Sequence, residues 1–256
     1  MNDNAMPLFT ERERELLRAR LVALAQNDPR LTGAAHLGSA AAGLMDRWSD
    51  IDLALCMAPD ANAEEVIAEW TSRFYGEYGA ATHHDLRHGG TLFRVFLLKN
   101  TLQVDLSFWP AGEFAPIGPA FKLIFGQANA ERSLPPPPAR ELIGMAWLYA
   151  LHARSSIARG RVWQAEYMLS GMRDHVLALA CLRNGLNAYQ GRGLDDLPAQ
   201  NKDPITECLV RSLEPQELTR AFIATVKALL AEIRITDAEL AERLTEPLTS
   251  LVEDGA

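Results

Sequence analysis

The chain reads as an α+β protein, with strands and helices mixed in its first half and helices alone in its second. Side chains alternate with strand period through residues 51–56, 92–98 and 102–109, whereas apolar residues recur at helical spacing over 139–183 and 205–252. Between the two patterns lies a stretch rich in Pro, Gly and Ala that ends in four consecutive prolines, Pro135 to Pro138, which no helix or central strand can cross. The expected domains are therefore residues 1–134 and residues 135–256.

Composition bounds the possibilities further. A chain of 256 residues that is 48% hydrophobic and 23% charged can bury a proper core, which excludes a mostly disordered protein or a disulfide mini-protein. Lys and Arg total 25 against 33 Asp and Glu, and the net charge of −8 disfavours bulk DNA or RNA as a partner. Such a balance is compatible with a cationic substrate or with carboxylates that hold metal, although most net-acidic proteins are merely soluble. The three cysteines, Cys56, Cys181 and Cys208, are widely spaced among aliphatic neighbours and read as buried thiols in a reducing cytoplasm. Residues 1–20 show no basic region followed by an apolar one, so neither a secretory signal nor a membrane span is expected, and the location expected is cytoplasmic.

In chain order, Thr10 and Glu13 stand at capping-box spacing before Leu16, Leu17, Leu21, Val22 and Leu24, announcing a helix that stops at Asp28-Pro29. Residues 31–37 predict a strand, 38–43 a tight glycine turn, 45–49 a polar loop and 51–56 a second strand. Asn62 caps a helix over residues 62–75, with Val66, Ile67, Trp70 and Phe74 on its apolar stripe. Residues 92–98 and 102–109, joined at Lys99-Asn100, predict a hairpin. Beyond the prolines, helices are expected over 139–158, 162–183, 205–213, 215–233 and 236–252, with a loop around 185–204.

Three carboxylates fall on or beside the predicted strands. His36-Leu37-Gly38-Ser39 is followed, after a ten-residue spacer, by Asp50-Ile51-Asp52-Leu53, and the later strand supplies Gln103-Val104-Asp105-Leu106. Period-2 alternation projects Asp50 and Asp52 from one face while Ile51 and Leu53 enter the core. Like charges so placed repel, and a divalent cation relieves that repulsion. Mg²⁺, with its preference for hard oxygen ligands, is the natural candidate. Asp105 could add a third ligand, allowing a pair of ions to clamp a phosphoryl or nucleotidyl transfer. Gly38 lets the backbone approach a phosphate closely, and Ser39 adds a hydroxyl donor. Ser49 and Arg47 could also reach phosphate oxygens, with a solvated loop as the alternative for Arg47. Asp85 and Glu166 are candidates for a general base, the first equally readable as a loop residue and the second as a helix-surface acid. Trp147 and Trp163 lie on apolar helical stripes and read as core, whereas Trp109, after the acidic strand, is better placed to line a pocket.

At these residues the sequence resembles the DNA polymerase β nucleotidyltransferase superfamily, whose motif is an apolar residue, Gly-Ser, a spacer, Asp-hydrophobic-Asp or Glu, and a third acid on a later strand. The resemblance covers residues 31–109, and all three acids are present. Its length, and a helical second half, look like the bacterial nucleotidyltransferases that modify aminoglycoside or lincosamide antibiotics.

The resemblance implies an N-terminal nucleotidyltransferase domain with a mixed β-sheet flanked by helices, followed by an all-helical bundle. It implies transfer of AMP from ATP to a hydroxyl of a small, cationic acceptor, with two Mg²⁺ ions held by Asp50, Asp52 and Asp105 and the triphosphate seated by Gly38, Ser39, Ser49 and Arg47. Two other functions stay open from the sequence: nucleotidyl modification of a protein or RNA, and a non-catalytic nucleotide-binding module. Monomer and homodimer are equally open.

Overall fold

Thr10 starts the first helix, α1 (Glu11–Asn27), as its spacing predicts: its Oγ1 accepts the Glu13 N–H at 3.2 Å while the Glu13 carboxylate accepts the Thr10 N–H at 2.7 Å. The computed structural model describes residues 8–118, 120–133 and 135–253. The chain divides into two units, residues 1–134 and 135–256.

The first unit is a six-stranded sheet of β1 (Leu31–Leu37), β2 (Ile51–Met57), β3 (Ala80–His88), β4 (Thr91–Leu98), β5 (Gln103–Pro110) and β6 (Phe121–Phe125). Its spatial order is β3-β4-β5-β2-β1-β6. β2 runs parallel to β5 and every other pairing is antiparallel, so the sheet is mixed. Two further helices belong to this unit, the short α2 (Gly38–Ala42) and α3 (Ala63–Gly76), the latter capped by Asn62.

Alternation divides the sheet into two unlike faces. Ile51, Leu53 and Leu55 of β2, with Val104, Leu106 and Phe108 of β5, form a core against Leu21 and Ala25 of α1 and Val66, Trp70 and Phe74 of α3. Phe74 is fully buried and its ring stacks on Phe96 at 4.0 Å between centroids. Phe74→Ala is expected to destabilise the protein by about 3–5 kcal/mol, checked as a lowered urea midpoint, because the site can close only partly over the lost ring. On the other face Ala35, Ala54, Cys56, Trp109 and Phe114 make a smaller cluster. All three cysteines are free and buried.

The second unit holds α4 (Ala139–Ala158), α5 (Val162–Arg183), α6 (Ala199–Thr206), α7 (Pro215–Thr236) and α8 (Ala238–Glu253). Ala146, Ala150 and Ala153 of α4 share a core with Leu169, Met172 and Val176 of α5 and Phe222, Leu229 and Ile233 of α7. Arg183 donates through Nε and Nη2 to the two carboxylate oxygens of the nearly buried Glu232, at 3.1 and 2.9 Å, tying α5 to α7. Among the described residues no helix is long and apolar enough to cross a membrane.

Several expectations need correction. Residues 38–43 form not a bare turn but one turn of helix, closed by Gly43 in the left-handed region. β3 has no counterpart among the expected strands because, at the sheet edge, most of its residues are exposed on both faces and carry no alternation. β6 was hidden in the Pro- and Gly-rich stretch, where it is only five residues long and pairs with β1 alone. The helix expected over 205–213 lies earlier, as α6, because Pro198 and not Pro204 precedes its first turn. Trp163 is 76% exposed and Trp147 is 37% exposed, so neither is a core residue. Trp109 is instead buried, with its indole N–H donating to Ser107 Oγ at 2.8 Å.

Candidate active site

The parallel joint between β2 and β5 sets Asp52 directly beside Asp105. Residues paired across a ladder share a face, so both carboxylates leave the sheet on the side opposite α1 and α3. Asp50, two residues before Asp52 and just ahead of β2, joins them: its Oδ2 accepts a hydrogen bond from Gln103 Nε2 at 3.2 Å. Gln103 in turn lies two residues before Asp105 on β5, on the same face. The three acids named from the sequence thus meet at one end of two adjacent strands, with Gln103 among them.

Gly38 completes the arrangement at the end of β1. Its φ is +55°, and a Cβ placed there would stand 2.2 Å from Asp52 Oδ2. Only glycine allows the chain to turn into α2 while lying against that carboxylate. Ser39 follows it within α2, and its carbonyl accepts the Leu44 N–H at 3.0 Å to close that turn.

Asp105 is the electrostatically distinctive member. One oxygen, Oδ1, is buried with no hydrogen-bond partner among the described residues. Burial pushes the Asp105 carboxyl up to about 6, the charge of Asp50 adds to the rise, and the Gln103 amide opposes it. Such an oxygen is unfavourable as an anion unless a cation meets it, which fits a metal ligand. Among the described residues no ready-made group of three His, Cys, Asp or Glu side chains able to hold a metal is present. Mg²⁺ does not need one, since it fills its shell with water and phosphate oxygens around one or two carboxylates.

Because the folded-state value of Asp105 lies above the unfolded value of about 3.9, the folded state binds this proton more tightly. The stabilisation is fully present below about pH 4 and is lost as pH rises through about 6. Asp105→Asn, which mimics the protonated acid, is therefore expected to melt like the parent at about pH 4 and above it at about pH 7.5. Thermal melts across this range check the sign, and a difference independent of pH would contradict it.

The remaining candidates separate. Asp85 stands opposite Arg94 on β4, which stands opposite Leu106 on β5, so Asp85 points to the helix face, away from the three acids. Arg94 holds it through Nε at 2.7 Å and Nη2 at 2.6 Å, and also donates to Thr71 Oγ1 of α3. These hydrogen bonds hold the Asp85 carboxyl below its ordinary value. Asp85 is therefore a structural ion pair and not a base for this site. Glu166 lies on α5 of the helical unit, where its Oε1 accepts from Ser170 Oγ at 2.6 Å. The Ser49 hydroxyl is engaged by its own loop, donating to Asp46 Oδ1 at 3.0 Å and accepting the Asp46 N–H at 2.9 Å. Arg47 is exposed, its guanidinium 4.9 Å above the Trp48 ring.

Two residues with a part in this geometry carried no role in the sequence. Gln103 could have been found from its period-2 relation to Asp105. Arg14 of α1, only 3% exposed, donates to the carbonyls of Asp46 and Ser49, the latter at 3.0 Å. Its one signal is a charged residue on the stripe that continues through Leu21 and Ala25.

No family model matches the chain, and no curated protein sequence matches it. Among solved structures, an aminoglycoside 6-adenyltransferase from Bacillus subtilis is similar over 93% of this chain and 98% of its own, at 12% identity and a TM-score of 0.40. At that score the likeness adds nothing to what the sheet register and the acids establish.

Proposed function

We propose that the chain is a nucleotidyltransferase that moves AMP from ATP to a hydroxyl of a small, cationic acceptor of the aminoglycoside or lincosamide kind. The observation that supports this most is the pairing of Asp52 with Asp105 on one sheet face beside Gly38, with Asp50 tied to Gln103 of the same strand as Asp105 and a buried Asp105 oxygen left for a cation. In this reading residues 1–134 are the catalytic domain and residues 135–256 its helical companion.

Asp50, Asp52 and Asp105 would hold two Mg²⁺ ions, whose chemistry is to neutralise the triphosphate and favour the attacking and leaving oxygens. The chain's own residues orient the rest. Gly38 and Ser39 seat phosphate oxygens, Gly38 because nothing projects from it, and Arg47 is free on an exposed loop to meet them. The acceptor hydroxyl oxygen bonds to the α-phosphorus, the bond from that phosphorus to the bridging oxygen breaks, and pyrophosphate leaves. The hydroxyl proton passes to a base or to water, and Asp85, held by Arg94, is not that base. Asp105 would help hold the metal on the side of the attacking oxygen, ionised at neutral pH in spite of its raised value.

The test is purified protein with α-labelled ATP, Mg²⁺ and a panel of aminoglycosides and lincosamides. Label on an antibiotic supports the reading. Label on protein alone would replace it with a protein modifier, and nucleotide binding without transfer to any acceptor would replace it with a binding module.

A further inference from the structure

The three acids are positioned in two different ways. Asp52 and Asp105 lie inside strands, where the parallel register fixes them side by side. Asp50 stands before β2 begins at Ile51, at the end of the loop that follows Gly43. That loop is a closed turn: Asp46 Oδ1 accepts the Trp48 N–H at 2.8 Å and the Ser49 hydroxyl at 3.0 Å, and Ser49 Oγ accepts the Asp46 N–H at 2.9 Å. So tied, residues 46–49 move as one body.

Arg14 fastens both ends of this body to α1. Its Nη1 donates to the carbonyl of Asp46 and to that of Ser49, across 32 and 35 residues of sequence. Its Nε donates to Glu15 Oε1 at 3.3 Å, and one turn further on Arg18 Nη1 stands 3.0 Å from Met45 Sδ. A buried guanidinium is unfavourable unless its donors are met, and here the loop backbone meets them. The Ser49 carbonyl belongs to the same peptide as the Asp50 N–H, so a rotation of that peptide swings Asp50.

We infer that Arg14 is a positioning residue for the candidate metal site, acting through the Ser49–Asp50 peptide to keep Asp50 on the face it shares with Asp52 and Asp105. This rests on the nucleotidyl-transfer reading only in requiring that the three acids take a divalent ion.

The test titrates Mn²⁺ alone, without nucleotide, followed by calorimetry or by its paramagnetic signal. Arg14→Met is expected to weaken Mn²⁺ binding about tenfold or more, the usual size of effect when a group that orients a ligand is removed. Arg14→Lys, which can serve one carbonyl at a time, is expected to fall between that variant and the parent. A purely architectural role would lower the melting temperature and the fraction of competent molecules but leave the Kd of those molecules unchanged. Parent-like Kd in folded Arg14→Met overturns the inference. Where that variant fails to fold, parent-like Kd in Arg14→Lys overturns it as well. Absence of Mn²⁺ binding by the parent protein overturns the metal-site reading itself, and the inference with it; binding by the parent and equally by the variants overturns the inference alone.

Discussion

Asp52→Asn is expected to reduce nucleotidyl transfer by about 10³-fold or more while the protein stays folded, because the proposed metal ligand loses its charge with little change in shape. Asp52 sits beside Asp105 in the β2–β5 ladder with its Oδ2 against Gly38. An amide of the same size fits that gap, so packing survives. Stability is expected to change by no more than about 1 kcal/mol, the range of substitutions that leave no cavity or strain. Two measurements separate the effects: initial rates with labelled ATP and the best acceptor, and a urea unfolding curve. Parent-like turnover in this variant would sink the assignment of the site.

Gly38→Ala is expected to damage both stability and activity, for two reasons that can be told apart. At φ +55° an alanine is strained, and its Cβ would lie 2.2 Å from Asp52 Oδ2 and 3.2 Å from Asp52 Cγ. Either Asp52 must rotate away or the junction of β1 and α2 must shift. Strain of this kind costs about 1–3 kcal/mol. A displacement of about 1 Å at the reacting centre costs on the order of 10²-fold in rate. Gly43 supplies the control, because its φ is +71° yet nothing lies within 4 Å of the Cβ it would gain. Gly43→Ala should therefore share the loss of stability and keep the activity. Equal losses of rate in the two variants would show that backbone strain, not the crowding of Asp52, is responsible.

Much of the fold was legible because it rests on local rules. Thr10 and Glu13 made their capping box, and the bounds of α4 and α5 follow from the apolar period and the prolines. β1, β2 and the β4–β5 hairpin were visible because each buries one face or both. β3 and β6 were not, since edge strands bury too little to leave a period in the sequence. Asp85 shows the limit most clearly. Its neighbours His83, His84 and Leu86 do not reveal which face it takes, and only the pairing with Arg94, itself opposite Leu106, turns it to the helix side. Trp109 failed for the related reason that a residue at the end of a strand is buried or exposed according to what the following loop does, and here Phe114 closes over it.

The sequence by itself determined the α+β order of elements and singled out the prolines at Pro135 to Pro138 and the three candidate acids, because periodicity, turn chemistry and motif spacing act over a few residues at a time. The tertiary structure decided which strands are neighbours and therefore which acids meet: Asp52 and Asp105 are brought side by side by a parallel pairing that joins segments some fifty residues apart. It also decided that Asp105 would be buried with an unmet oxygen, that Gly38 would lie against Asp52, and that Arg14 would hold the loop before Asp50. Each of these depends on contacts distant in sequence, whose pairing no local pattern encodes.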